Sequence, residues 1–67
     1  MSIRITINQK PYDLPEDATL AEALARFGAA PPFAVAVNLQ FVHRHLYGET
    51  RLRAGDQVEV VQPVAGG

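Results

Sequence analysis

One segment with helical periodicity, flanked on both sides by segments with period two, sets the terms of what this chain can fold into. Thr19 and Glu22 have the capping-box spacing, in which each side chain satisfies a free N–H at a helix start. Leu20, Ala23, Leu24 and Phe27 then recur at i, i+3, i+4 and i+7 and form one apolar stripe. Gly28 stands where a left-handed cap is expected, and Pro31-Pro32 prevents any continuation. A single helix with a single stripe needs one apolar sheet face to cover.

The flanking segments supply that face. Ile3, Ile5 and Ile7 alternate with Arg4, Thr6 and Asn8, the pattern of a strand with one buried side. Asn8-Gln9-Lys10 has turn character, and Tyr12 and Leu14 alternate with Pro11 and Asp13 in a returning strand. Pro11 cannot donate to a ladder, which places that strand at a sheet edge. After the helix, Phe33 to Val37 is β-rich, Asn38-Leu39-Gln40 turns, and Phe41 to Arg44 returns as a short strand. Leu46 to Thr50 has no clean period and reads as a helical turn or loop. Leu52 is an anchor ahead of a Gly55-Asp56 turn, Val58 to Val61 is the final strand, and Pro63 ends its pairing. This order predicts an α+β fold of the β-grasp kind: a mixed sheet of four or five strands on one helix, with the last strand parallel beside the first.

Composition narrows the function. At 67 residues the chain reads as one domain, near the lower limit of a self-sustaining core, and without Cys it has neither disulfides nor a thiolate metal site. The net charge of −1 and the dispersal of Arg4, Lys10, Arg26, Arg44, Arg51 and Arg53 argue against nucleic acid. No apolar run approaches the roughly 20 residues of a membrane span, and the start lacks a signal-peptide core. A cytoplasmic protein, monomeric when free, is expected. His43 and His45 with nearby Glu49 fall short of the four ligands of a structural zinc, so solvated histidines and no metal are expected. Glu16/Asp17 and Asp13/Glu22 read as helix lead-in and capping, so no catalytic residue is assigned.

The chain stops on Val64-Ala65-Gly66-Gly67. The expected division is a globular body over 1–62 and a flexible tail over 63–67. Glycines without Cβ can thread a tunnel too narrow for other residues, so Val64, Ala65 and Gly66 are read as the threading segment. The Gly67 carboxylate, with a reference pKa of about 3.3–3.7, is ionised and unreactive at neutral pH. A partner must activate it. Val61, Leu46 and Tyr47 have no evident core slot and are candidates for a partner surface.

With these elements in place, the chain resembles the ubiquitin-like sulfur carriers, and among them the thiamine-biosynthesis (ThiS) family. The resemblance is carried by Ala36-Val37-Asn38 with Val42 and Arg44, by Leu52-x-x-Gly55-Asp56-Gln57-Val58, and by the terminal Val64-Ala65-Gly66-Gly67. His43 stands where that family often has Pro. Gln62-Pro63-Val64 leans toward the small subunit of molybdopterin synthase, which is usually longer. The resemblance implies a protein co-substrate, not an enzyme. An adenylating enzyme of the ThiF/MoeB type would use ATP and Mg to activate Gly67. Sulfur from a persulfide, such as that of a cysteine desulfurase, would then give a thiocarboxylate for thiazole synthase, and this chain would bind no cofactor of its own. Sulfur delivery to molybdopterin, a ubiquitin-like protein modifier and a plain interaction module are the alternatives.

Overall fold

The computed structural model describes residues 1–28 and 34–62. Two hairpins flank a central strand. β1 (Ser2–Ile7) runs antiparallel to β2 (Lys10–Pro15), with Ile5 opposite Tyr12 and Ile3 opposite Leu14. β3 (Ala34–Val37) runs antiparallel to β4 (Gln40–Val42), with Val35 opposite Val42. β5 (Gln57–Val61) lies between them, parallel to β1 and antiparallel to β3, giving the order β2-β1-β5-β3-β4. This is the expected β-grasp arrangement. Pro11 sits on an edge strand, where its missing donor does no harm. The sequence expected the β4 strand to run to Arg44, but it ends at Val42. Beyond it a 3₁₀ segment, Arg44–Glu49, is closed by Leu46 N–H donating to His43 O at 2.8 Å and Thr50 Oγ1 donating to Leu46 O at 2.7 Å.

The helix α1 (Leu20–Phe27) forms where its periodicity put it. Thr19 Oγ1 accepts from Glu22 N at 3.3 Å, and Gly28, at φ 82°, donates its N–H to Leu24 O. The reciprocal half of the capping box does not form. The helix start is instead tied across the fold, with Leu20 N–H donating to Thr50 O at 2.7 Å and Leu52 N–H to Ala18 O at 3.0 Å. A first-turn donor that would otherwise need water is thus satisfied by a segment 30 residues downstream.

The stripe of α1 meets the inner face of the sheet. Among the described residues Ile5, Ile7, Leu14, Leu20, Val35 and Val58 are fully buried, and Ala18, Ala23, Leu24, Leu52 and Val60 join them in the core. Each large side chain so placed contributes about 1.5–3 kcal/mol relative to exposure. Tyr12 and Phe27 meet edge to face, ring centroids 6.3 Å apart, and seal the C-terminal end of α1 against the β2 edge. Residues on β5 alternate: Val58 and Val60 face the core, while Gln57, Glu59 and Val61 face outward.

Candidate functional site

Whatever the chain's last residues do, they do it from the end of β5. Val64, Ala65, Gly66 and Gly67 lie outside the described residues, as does Pro63, and the description stops at Gln62. The candidate site is therefore the root of that segment and the surfaces around it.

Two asparagines clamp β5 from opposite sides. Asn8 and Asn38 each open a two-residue hairpin turn with both φ values positive, 51° and 73° at Asn8-Gln9 and 51° and 71° at Asn38-Leu39. This is the type I′ pattern, which Asn tolerates at its first position. Both side chains then leave their own hairpin and reach β5. Asn8 Oδ1 accepts from Val60 N at 2.8 Å, Asn8 Nδ2 donates to Val60 O at 3.2 Å, and Asn8 N–H donates to Val58 O at 2.9 Å. On the other side Asn38 Oδ1 accepts from Gln57 N at 2.9 Å, and Asn38 N–H donates to Gln57 O at 2.8 Å. Asn38 Nδ2 also donates to Asp56 Oδ1 at 3.0 Å.

Asp56 fixes where β5 begins. Its Oδ2 accepts from Arg53 N at 2.8 Å, its carbonyl accepts from Thr6 N at 3.0 Å, and Gly55, at φ 90°, donates its N–H to Arg4 O at 2.8 Å. The turn reading of Gly55-Asp56 holds, and the turn is bolted both to β1 and to the β3–β4 hairpin.

The outer face of the sheet carries an apolar area beside the root. Val61 (64 % exposed) lies opposite Ala34, and Phe41 (65 % exposed) lies opposite Ala36. The Phe41 ring meets His43 edge to face, with centroids 5.5 Å apart. Leu46 is exposed too, but on the 3₁₀ segment that packs against α1 and away from Val61. Tyr47 is partly buried against the core. The sequence does not single out Phe41, because alternation in so short a strand does not say which side the helix will cover, or Leu39, which lies in the turn between β3 and β4.

No group of three or more His, Cys, Asp or Glu is arranged to hold a metal among the described residues. Asp13, one of the weighed carboxylates, is engaged by Arg4 across the β1–β2 pair, with Nε to Oδ1 at 2.9 Å and Nη2 to Oδ2 at 3.2 Å. The hydrogen bond from Arg4 holds the Asp13 carboxyl below its ordinary range, and the same bond raises Arg4. Glu16 lies 4.0 Å from the Met1 amino group.

Comparison with known proteins gives a consistent picture. No curated protein sequence matches the chain. Among solved structures, the crystal structure of a thiamine biosynthesis protein (ThiS) from Geobacter metallireducens matches with a TM-score of 0.77 and 26% identity. The match covers 97% of this chain and 100% of that one. The model of the ThiS family matches residues 5–67, which takes in the β5 root, both clamping asparagines and the closing Gly-Gly. The chain belongs to the ThiS family.

Proposed function

We propose that the chain is a sulfur carrier in thiamine biosynthesis, a cytoplasmic co-substrate that is passed between enzymes and catalyses nothing itself. The observation that carries this reading is the family match running unbroken from β1 to Gly67. The activating enzyme, of the ThiF/MoeB type, joins the Gly67 carboxylate to AMP from ATP-Mg, releasing pyrophosphate. The carboxylate oxygen thereby becomes part of a good leaving group. The terminal sulfur of a persulfide attacks the acyl carbon and AMP departs. A thiol then attacks the donor's sulfur in the resulting acyl disulfide, breaking the S–S bond brought in with the persulfide. The thiol and donor leave joined as a disulfide, and a thiocarboxylate stays on Gly67. Sulfur is the softer and stronger nucleophile, so the modified end can attack an electrophile at thiazole synthase.

The body serves this chemistry as a handle. Gly66 and Gly67 carry no Cβ to obstruct the approach to the acyl carbon. The five residues after Gln62 reach at most about 18 Å when fully extended, so a partner must hold the body close to its active site. The holding is assigned to two separate exposed places, Val61 with Phe41 on the outer face of the sheet and Leu46 on the 3₁₀ segment. Tyr47, partly buried against the core, backs the second.

The test is intact-mass measurement after incubation with the activating enzyme, ATP-Mg and a persulfide donor. The mass should rise by the difference between sulfur and oxygen, localised to Gly67 by fragmentation. An unchanged mass with an activating enzyme competent on another carrier would overturn the reading. Co-purification with thiazole synthase supports the thiamine assignment, and co-purification with the molybdopterin synthase large subunit would redirect it.

A further inference from the structure

We infer that Asn8 is a positioning residue for the chemistry at Gly67, an inference that rests on the carrier reading above. On its β3 side, β5 stays paired as far as Val61, opposite Ala34. On its β1 side the ladder of strand residues ends at Ile7 opposite Val58, because the chain turns away at Asn8 and Gln9. Backbone groups along a strand point alternately to one neighbour and the other, so Val60 is the next residue after Val58 to face β1. Its N–H and C=O would be left open there. The Asn8 amide takes both, accepting at 2.8 Å and donating at 3.2 Å.

A primary amide presents an acceptor and a donor side by side, much as a peptide unit does, and so can supply one more rung to the ladder. That rung falls on Val60, two residues before the described chain ends at Gln62. With it, β5 is held from both sides almost to the point where the reactive segment departs. Without it, the β1-facing backbone of Val60 loses its rung, and the end of β5 is held less firmly in the sheet. Holding a reactant in its attack geometry contributes to rate, so this loss appears in turnover more than in docking. Asn38 supplies the built-in comparison. It opens the same kind of turn, at the same φ of 51°. Its Oδ1 likewise accepts from a β5 N–H, that of Gln57 at the opposite end of the strand, while its Nδ2 goes to Asp56 instead of a β5 carbonyl.

The experiment compares Asn8→Gly with Asn38→Gly in the full chain. Glycine accepts the positive φ, so each variant loses the amide without straining its turn. Two quantities are read: amide hydrogen exchange at Val60 and Val58 by NMR, and kcat and KM for adenylation by the activating enzyme. Both variants should lose Tm to a comparable extent. For Asn8→Gly, Val60 exchange should rise and kcat should fall roughly tenfold with KM unchanged within about twofold. Asn38→Gly should keep kcat within about twofold. Equal kcat for the two variants overturns the inference, as does a loss in Asn8→Gly that resides wholly in KM. Should Asn8→Gly fail to fold, Asn8→Asp replaces it under the same criteria. It keeps an acceptor for Val60 N–H but sets a second oxygen against Val60 O. Wild-type chain that is not adenylated at all overturns the carrier reading itself, a result visible before any variant is compared.

Discussion

At Asp56 a single carboxylate joins three parts of the chain. One oxygen accepts from the Arg53 backbone and the other from the Asn38 amide, while the residue's own carbonyl accepts from Thr6. Asp56→Ala removes both carboxylate bonds and should cost about 1–2 kcal/mol, read as a lower urea midpoint. The Arg4–Asp13 pair behaves differently because both side chains are open to water. Asp13 has a depressed carboxyl pKa in the folded state, so its contribution is present above the unfolded value. It is lost as pH falls through the folded one. Urea midpoints measured from neutral pH down through the carboxylate range should therefore fall less steeply for Asp13→Asn than for the parent. The difference should be small, as expected of a surface pair. The sequence marked Gly55-Asp56 as a turn and Thr19 as a cap, because those signals are local. That Asp56 would also receive the Asn38 amide was not legible, since the two residues meet only when β3 and β5 pair.

Among the elements, the two hairpins share one device. Each turns through a pair of positive-φ residues whose second member, Gln9 or Leu39, lacks the freedom of glycine. A side chain in the left-handed region costs about 1–2 kcal/mol, and Leu39 recovers little of it through burial, being 84 % exposed. Leu39→Gly should thus stabilise the fold by about 0.5–1 kcal/mol, after allowance for the greater entropy of glycine in the unfolded chain. Thermal unfolding would show a raised Tm, and an unchanged or lowered Tm would mean that Leu39 makes contacts its exposure hides. The boundaries of α1 and β5 follow the expected positions within a residue or two because caps and alternation encode them. The 3₁₀ segment was ambiguous in sequence. Its own period is weak, and what holds it is packing against α1 and the Thr50 hydroxyl.

At the scale of the whole molecule, the described residues include a core of eleven buried apolar side chains. A chain of this length has a net stability of only about 3–10 kcal/mol. Leu52, 2 % exposed, sits where the 3₁₀ segment hands over to the last strand and is tied by its N–H to Ala18 at the start of α1. Leu52→Ala should cost about 2–5 kcal/mol, enough to lower the urea midpoint by roughly a fifth at the least and to abolish cooperative unfolding if the parent stability is at the low end of its range. By itself the sequence determined the elements and their order, from the helix stripe and its Gly28 cap to the alternating strands and the final Val58–Val61 run. Those follow from interactions between residues a few positions apart. Only the tertiary structure decided that Phe41 and Val61 would share the open face while Tyr47 turned inward. It alone decided that the Asn8 amide would close on Val60. Those two residues are 52 positions apart. Such a contact depends on which strand lies beside which, and no local pattern in the chain encodes that.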